Sequence, residues 1–341
     1  MTRLTPGRIV QLAVSLGVAG LFVWLAVLTI DGPELASTLA AARPGWVALG
    51  VLAFLCGYGC RIARWRAMLV RDNPGLGWLP ISVAFYGSIA ANNVLPFRAG
   101  DALRVFGFSR YLGVPVSTLL ATLVVERLLD LLSLLMAFGL ALLFLPLTGG
   151  AAGTLIGIGG SGLVAIGLVV MAVLLFPQMF EPIARACLRI LGRVSPGISG
   201  KLGEFSERAF ATLRHLAHGP RMLILVLWSA CAWGFEGAVF WSVAHAIPAM
   251  IVPSAGWLSF PVGTLATLLP STPGYVGTFD FFAIKAAQAM GNSAAASAAF
   301  ALLVHLVIWL PATVIGGIAL LVWNSAKQPS SLPQTRERAP S

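Results

Sequence analysis

Residues 131–180 read LLSLLMAFGLALLFLPLTGGAAGTLIGIGGSGLVAIGLVVMAVLLFPQMF and contain no charged side chain. Three more uncharged stretches cover residues 9–30, 237–279 and 286–326. About 20 apolar residues cross a bilayer as an α-helix, so these stretches hold enough chain for several crossings. The sequence therefore predicts an all-α polytopic membrane protein, and it excludes a soluble enzyme, a DNA-binding domain and a disordered chain.

The composition agrees with this prediction. Of 341 residues, 58% are hydrophobic and only 10% are charged, whereas soluble domains carry about 25% charged residues. The net charge of +10 comes from basic residues between the apolar runs, where they orient a chain in a membrane. We therefore expect no nucleic-acid partner. The four cysteines form no CxxC pair, and no metal site or cofactor is expected.

We expect about six full transmembrane helices, and the apolar runs place them at residues 9–30, 46–60, 116–145, 154–176, 222–247 and 297–323. The second helix continues into a group of arginines: Arg61, Arg64, Arg66 and Arg71. The positive-inside rule makes that end cytoplasmic, which puts both termini in the cytoplasm and the loop with Glu34 and Arg43 outside. The predicted location is the cytoplasmic (inner) membrane.

One integral membrane domain is expected over residues 1–325, followed by a disordered cytoplasmic tail over 326–341. Within the domain, residues 177–221 form a basic cytoplasmic segment. Its Arg185, Arg189 and Arg193 recur every fourth residue beside apolar side chains. That spacing fits a helix on an anionic lipid surface and fits a solvated loop helix equally well.

Two apolar segments, 79–97 and 257–280, are interrupted by polar residues and prolines. The interruptions share the pattern LPxxxG, at residues 95–100 and 269–274. Irregular backbone at membrane depth survives only where protein or a water-filled cavity satisfies it, so both segments are predicted to be re-entrant. The predicted topology gives them opposite orientations. Interrupted helices at matching places of an inverted repeat indicate a transporter's substrate site.

Three ionisable residues lie within five positions of one predicted span: Glu126, Arg127 and Asp130. Each costs about 2.5–3.5 kcal/mol at the bilayer centre, so they need partners. We expect them to pair with one another and with Arg98 or its neighbours Asp101 and Arg104. The cluster is either an ion network that pins the broken segment or a site in which Arg98 and Arg127 hold an anionic head group, and the second interpretation is favoured.

The second broken segment contributes its own polar groups. Asp280 follows the break, and His305 lies in the last helix. Helix N-termini at Gly100 and Gly274 would add positive dipole ends toward an anion. The predicted substrate-binding residues are Asn93, Pro96, Arg98, Gly100, Asp101, Arg104, Glu126, Arg127, Asp130, Pro270, Thr272, Pro273, Gly274, Gly277, Asp280 and His305.

Four motifs resemble the flippase-like integral membrane family related to the transmembrane half of lysylphosphatidylglycerol synthase, the multiple peptide resistance factor. They are residues 93–96 (NVLP), 100–104 (GDALR), 126–130 (ERLLD) and 273–280 (PGYVGTFD). The resemblance extends from about residue 8 to 325 and implies lipid translocation between leaflets. The chain departs from the family pattern at Asp101 and Asp280, where Glu is frequent, and at Tyr275, where glycine is frequent.

The predicted function is a flippase-like transporter, not an enzyme, that moves a lipid with an anionic or zwitterionic head group between leaflets. The chain contains no GxxxxGK[ST] motif for ATP binding. Two alternatives remain open: a noncatalytic scaffold for lipid or envelope biosynthesis enzymes, and an intramembrane enzyme acting on a lipid phosphate. Expected partners are the lipid substrate, an anionic lipid surface, and a second copy of the chain or a lipid-biosynthesis enzyme.

Overall fold

The computed structural model describes residues 32–95, 98–145, 150–176, 220–268 and 273–327, with a few isolated positions between 179 and 189. The predicted first helix over 9–30, most of the basic segment over 177–221 and the tail beyond 327 lie outside the described residues. Within the described ranges, all regular structure is helical and no strand occurs. The all-α prediction is therefore confirmed.

Eleven α-helices are described: α1 (Gly32–Ala40), α2 (Pro44–Leu69), α3 (Trp78–Val94), α4 (Ala99–Ala102), α5 (Ser109–Leu112), α6 (Val116–Phe144), α7 (Gly150–Leu175), α8 (Pro220–Ala246), α9 (Ala255–Ala266), α10 (Thr278–Ala289) and α11 (Ala294–Lys327). A π-helical turn over Leu103–Gly107 joins α4 to α5. A 3-10 turn over Pro273–Tyr275 precedes α10.

Four of the described helices are long and apolar enough to cross a membrane: α2, α6, α8 and α11. They confirm a multi-pass membrane protein. The predicted helix over 154–176 corresponds to α7, whose stretch Gly157–Ala172 is apolar but shorter.

One local prediction needs correction, because the loop expected around Glu34 contains α1. The second predicted helix continues into its arginines as expected and ends at Leu69, so Arg61 and Arg64 lie within α2. These arginines stay helical because they face packed helices and find carboxylate partners there.

The centre of the fold is an antiparallel pair, α2 and α8. Gly50 lies beside Val243, Gly57 beside Phe235, and Arg64 beside Ser229. The glycine positions let the two backbones approach closely, as is common between helices in membranes. This pair brings the polar end of α2 against the middle of α8.

Each interrupted segment packs on the long helix that follows the other one. Helix α3 runs antiparallel to α11, with Gly87 beside Leu320 and with Asn93 donating a hydrogen bond to Thr313 at 2.9 Å. Helix α9 packs against α6. The 3-10 turn after α9 also contacts the end of α3, so the two breaks meet.

The α3–α11 contact yields a first prediction. A Cβ on Gly316 would lie against the Tyr86 carbonyl and 2.5 Å from the Ala90 Cβ, whereas a Cβ on Gly317 would meet nothing within 4 Å. Gly316→Val should therefore cost about 1–3 kcal/mol of stability through overpacking. Gly317→Val is the matched control, with the same change of helix propensity. Thermal unfolding in detergent checks this, and equal melting temperatures for the two variants would contradict the packing described.

Candidate functional site

A cavity of about 480 Å³ lies where the two breaks meet. Both interrupted segments and the four long helices contribute to its wall. The polar and aromatic residues that line it are Tyr58, Arg61, Asn92, Asn93, Arg98, Arg127, Asp130, Trp233, Glu236, Thr264, Thr267, Tyr275, Phe279, His305 and Trp309. We call this space the polar cavity.

Asp101 is held by Asn92 of α3 and by Arg127 of α6. The Asn92 Nδ2 donates to its carboxylate at 3.0 Å, and the Asp101 backbone N–H donates back to the Asn92 Oδ1 at 3.2 Å. Arg127 of α6 reaches both carboxylate oxygens at 3.2 Å. Asp101 therefore connects the end of α3, the start of α4 and the middle of α6.

The strongest ion pair joins Arg104 to Glu126. Two parallel hydrogen bonds of 3.0 and 2.7 Å link the guanidinium to the carboxylate, and both side chains are buried. The guanidinium also lies 3.9 Å from the centre of the Trp65 ring. A bidentate pair with an aromatic face suits arginine and not lysine.

Asp130 lies one turn further along α6 and is shared by three groups. Arg64 of α2 approaches one carboxylate oxygen at 2.8 Å, and the Trp233 indole N–H donates to the same oxygen at 3.1 Å. Arg127 lies 3.7 Å from the other oxygen. Arg64 is fully buried and also donates to the Ser229 hydroxyl. This arginine belongs to the site and not to a cytoplasmic loop.

Arg61 makes the last pair of the network. It bonds the Glu236 carboxylate at 3.1 Å and lies over the Trp233 ring at 4.4 Å. The sequence analysis did not include Arg61, Tyr58 or Glu236 among the site residues. The sequence did indicate that Tyr58 and Arg61 lie together, because residues three apart share a helix face.

The two breaks touch through Arg98 and Tyr275. Both residues have left-handed backbone, with φ of 52° and 62°, a conformation that costs a non-glycine residue about 1–3 kcal/mol. The Arg98 Nε donates to the Tyr275 hydroxyl at 3.0 Å. In the described part of the chain, no carboxylate pairs with Arg98. It is the cavity arginine whose charge the site itself leaves uncompensated.

His305 is positioned by Asp280. The His305 Nδ1 lies 2.8 Å from one Asp280 oxygen, and the Gly277 N–H donates to the other at 3.0 Å. This second bond caps the start of α10, so that helix end is already occupied by an internal carboxylate. The imidazole lines the polar cavity.

Of the predicted site residues, Asn93, Arg98, Arg127, Asp130, Gly274 and His305 line the cavity. Asp101, Arg104, Glu126 and Asp280 lie behind these residues and bond to other polar groups of the site. Pro96, Pro270 and Thr272 lie outside the described residues, and the side chain of Pro273 is not described either.

Of the two glycines expected at helix N-termini, Gly100 lies in the first turn of the four-residue helix α4. It packs against the Ser88 carbonyl and Asn92 so closely that no side chain fits. Gly274 lies before α10, in the 3-10 turn, with φ of 71°. Helix α10 itself starts at Thr278, where Asp280 caps it.

Comparison with known proteins gives two matches. A family model described as the lysylphosphatidylglycerol synthase TM region matches residues 9–316. The glycosyltransferase AglD of Haloferax volcanii is 27% identical over 350 residues, which cover 92% of this chain and 54% of that protein. The chain thus spans about half the length of this curated relative. With the four candidate spans, these matches show a multi-pass membrane protein related to membrane lipids.

The prediction that the chain is not an enzyme is contradicted by the second match, because that relative is named as a glycosyltransferase. The sequence analysis named Asp280 and His305 as separate site residues, and only the fold shows that they contact each other.

The buried network yields a second prediction. Glu126→Ala leaves Arg104 buried without its bidentate partner, and loss of one partner of a buried pair costs about 3–5 kcal/mol. The double substitution Arg104→Met with Glu126→Met should recover most of that stability, because the charge is removed with its partner. Thermal unfolding in detergent measures both. Equal stability of Glu126→Ala and the wild type would show that the pair carries no structural role.

Proposed function

Since the chain belongs to the family of the lysylphosphatidylglycerol synthase transmembrane region, we propose that it binds the anionic head group of a membrane lipid in the polar cavity and moves that lipid between leaflets. The head group is bound by Arg98. The substrate-binding residues that contact it are those lining the cavity, and the buried ion pairs hold them in place.

The observation that carries this proposal is the pairing of the site's charges. Of its five carboxylates, four pair with arginines: Asp101 with Arg127, Glu126 with Arg104, Asp130 with Arg64, and Glu236 with Arg61. The fifth, Asp280, bonds His305. Among the described residues Arg98 therefore has no carboxylate partner, and it lies beside a cavity large enough for a head group. A lipid phosphate supplies an anionic partner for it.

The packing of the helices supports a transport cycle. We propose that residues 9–30 and α7 complete six spans in the cytoplasmic membrane, and that α3 and α9 are the re-entrant halves of an inverted repeat. Helix α3 packs on α11 and helix α9 packs on α6, so each broken helix contacts the long helix of the other half, as an inverted repeat requires. The substrate site of such a repeat lies where the broken helices meet. Both termini are then cytoplasmic.

This proposal yields a third prediction. Arg98→Ala should lower the rate at which fluorescent phosphatidylglycerol crosses the liposome bilayer by roughly ten- to a hundredfold. This factor corresponds to the loss of a charged hydrogen bond of about 1.5–3 kcal/mol. Dithionite quenching of outer-leaflet fluorescence measures the rate. Arg110→Ala is the matched control, because Arg110 is exposed and lies outside the cavity. Equal rates for Arg98→Ala and the wild type would contradict the proposal.

A second candidate function is group transfer at a lipid head group within the same cavity. Two observations favour it: the name of the Haloferax relative, and the carboxylate–imidazole pair of Asp280 and His305. The carboxylate fixes the Nδ1–H tautomer, which leaves the other ring nitrogen able to accept a proton. His305 is then the general base that takes the proton of an attacking acceptor hydroxyl, and Asp280 is its positioning residue. The transferred group comes from a lipid-phosphate donor, whose phosphate leaves with the electrons of the broken bond.

The fourth prediction separates this second function from transport. If the cavity performs chemistry, purified protein incubated with extracted membrane lipids produces a lipid of changed head-group mass, and His305→Gln abolishes that product. His245→Gln is the control, because His245 bonds the Trp241 carbonyl outside the cavity. Mass spectrometry of the lipids reads the result. An unchanged lipid profile with the wild-type protein would remove the second candidate and leave transport.

A further inference from the structure

A second cavity of about 490 Å³ lies between α6, α7, α8 and α9. Its wall is almost entirely apolar and includes Leu129, Met136 and Leu140 of α6, Val226 of α8 and Phe260 of α9. We call it the apolar cavity. The network of ion pairs explains the polar cavity but gives no reason for this second space.

The few hydroxyl groups in its wall are already occupied. Ser133 donates to the carbonyl of Leu129 and Ser229 to the carbonyl of Leu225, each one turn earlier in its own helix. Water in a cavity needs two to four polar partners, and this wall does not offer them. The chemistry of the lining therefore fits hydrocarbon.

The apolar cavity adjoins the polar one. Trp233 lines both, with its indole N–H held by Asp130 and its ring between the two spaces. Neighbouring positions of the same helices line the two cavities. On α6, Leu129 lines the apolar cavity and Asp130 the polar one, and on α9 Phe260 and Thr264 divide in the same way.

The apolar cavity opens on the outer surface of the helices. Leu140, Phe144 and Trp257 line it and are also exposed. In a protein that spans a membrane, that surface faces lipid chains. The equivalent seam of the other unit is closed, because α3 and α11 are in close contact at Gly87 and Gly316 and are joined by the Asn93–Thr313 hydrogen bond.

We propose that the apolar cavity binds a hydrocarbon chain of the same lipid whose head group occupies the polar cavity, and that this lipid enters sideways between α6 and α9. The inference rests on the proposed function and adds a binding site for the hydrocarbon part of the same lipid. Trp233 marks the boundary between head group and chain. Among the described helices, the α3–α11 seam is closed while the apolar cavity beside α6 and α9 opens toward lipid.

Photolabelling in liposomes tests the proposal. The probes are phosphatidylglycerol carrying a diazirine in one acyl chain and a prenyl monophosphate carrying the same group, and peptide mass spectrometry locates the adducts. The expected adducts lie on cavity residues such as Met136 and Val226. Labelling by one probe alone identifies an acyl or a prenyl chain as the occupant. Adducts from both probes confined to the outward-facing residues would overturn the proposal.

Variants that fill the cavity sharpen the test. Ala137→Trp on α6 and Ala230→Trp on α8 place an indole in the space from opposite walls, and each should lower cavity adducts by about tenfold. The control is Val124→Trp, at an exposed position on α6 outside both cavities. Two filling variants guard against one that fails to fold. Cavity adducts that persist undiminished in both folded variants would also overturn the proposal.

Arg98→Ala separates this proposal from the proposed function. If it abolishes transfer and also reduces the cavity adducts, head group and chain belong to one ligand, as proposed. If cavity adducts are unchanged while transfer is lost, the chain site is independent of the head-group site, and the inference of a single ligand fails although the proposed function stands. If both are unchanged, the head-group role of Arg98 fails as well.

Discussion

The bidentate bond between Arg104 and Glu126 is the contact on which the rest of the site depends. It joins the irregular chain after the first break to the middle of the long helix α6. Around it, Arg64 compensates Asp130 of α6, and Arg127 compensates Asp101 of α4. Charges at membrane depth must be paired in this way, and the pairing fixes where the broken helix can lie.

A network in which every charge is paired would account for a rigid protein but not for ligand binding. This site can bind an anion because one cation, Arg98, is bonded to a phenol and not to a carboxylate. The strained backbone of Arg98 and Tyr275 lies where the two breaks touch. The family resemblance implies glycine at the position of Tyr275, and the positive φ of this residue is a conformation that glycine adopts without strain. In this chain the tyrosine compensates part of the strain with the hydroxyl that accepts from Arg98.

Much of this architecture could be predicted from the sequence. Long apolar runs predict α6, α8 and α11, and the pairing of Glu126 with Arg104 and of Arg127 with Asp101 follows from the cost of charge in a bilayer. The burial of Arg61 and Arg64 could not be predicted. Arginines after an apolar run fit a cytoplasmic anchor equally well, and only the packing of α8 against α2 reveals Glu236 and Ser229 as their partners. The apolar cavity could not be predicted either, because its wall comes from four helices that are distant in sequence and meet only in the fold.

The central claim is that Arg98 supplies the positive charge for a lipid anion. Mass spectrometry of the lipids that remain with the detergent-purified protein tests it most directly, with the wild type compared against the charge reversal Arg98→Glu. The account predicts that the wild type is enriched in one anionic lipid class and that the variant loses this enrichment while remaining folded. The same enrichment in both proteins would contradict it, and would leave the polar network as a structural device.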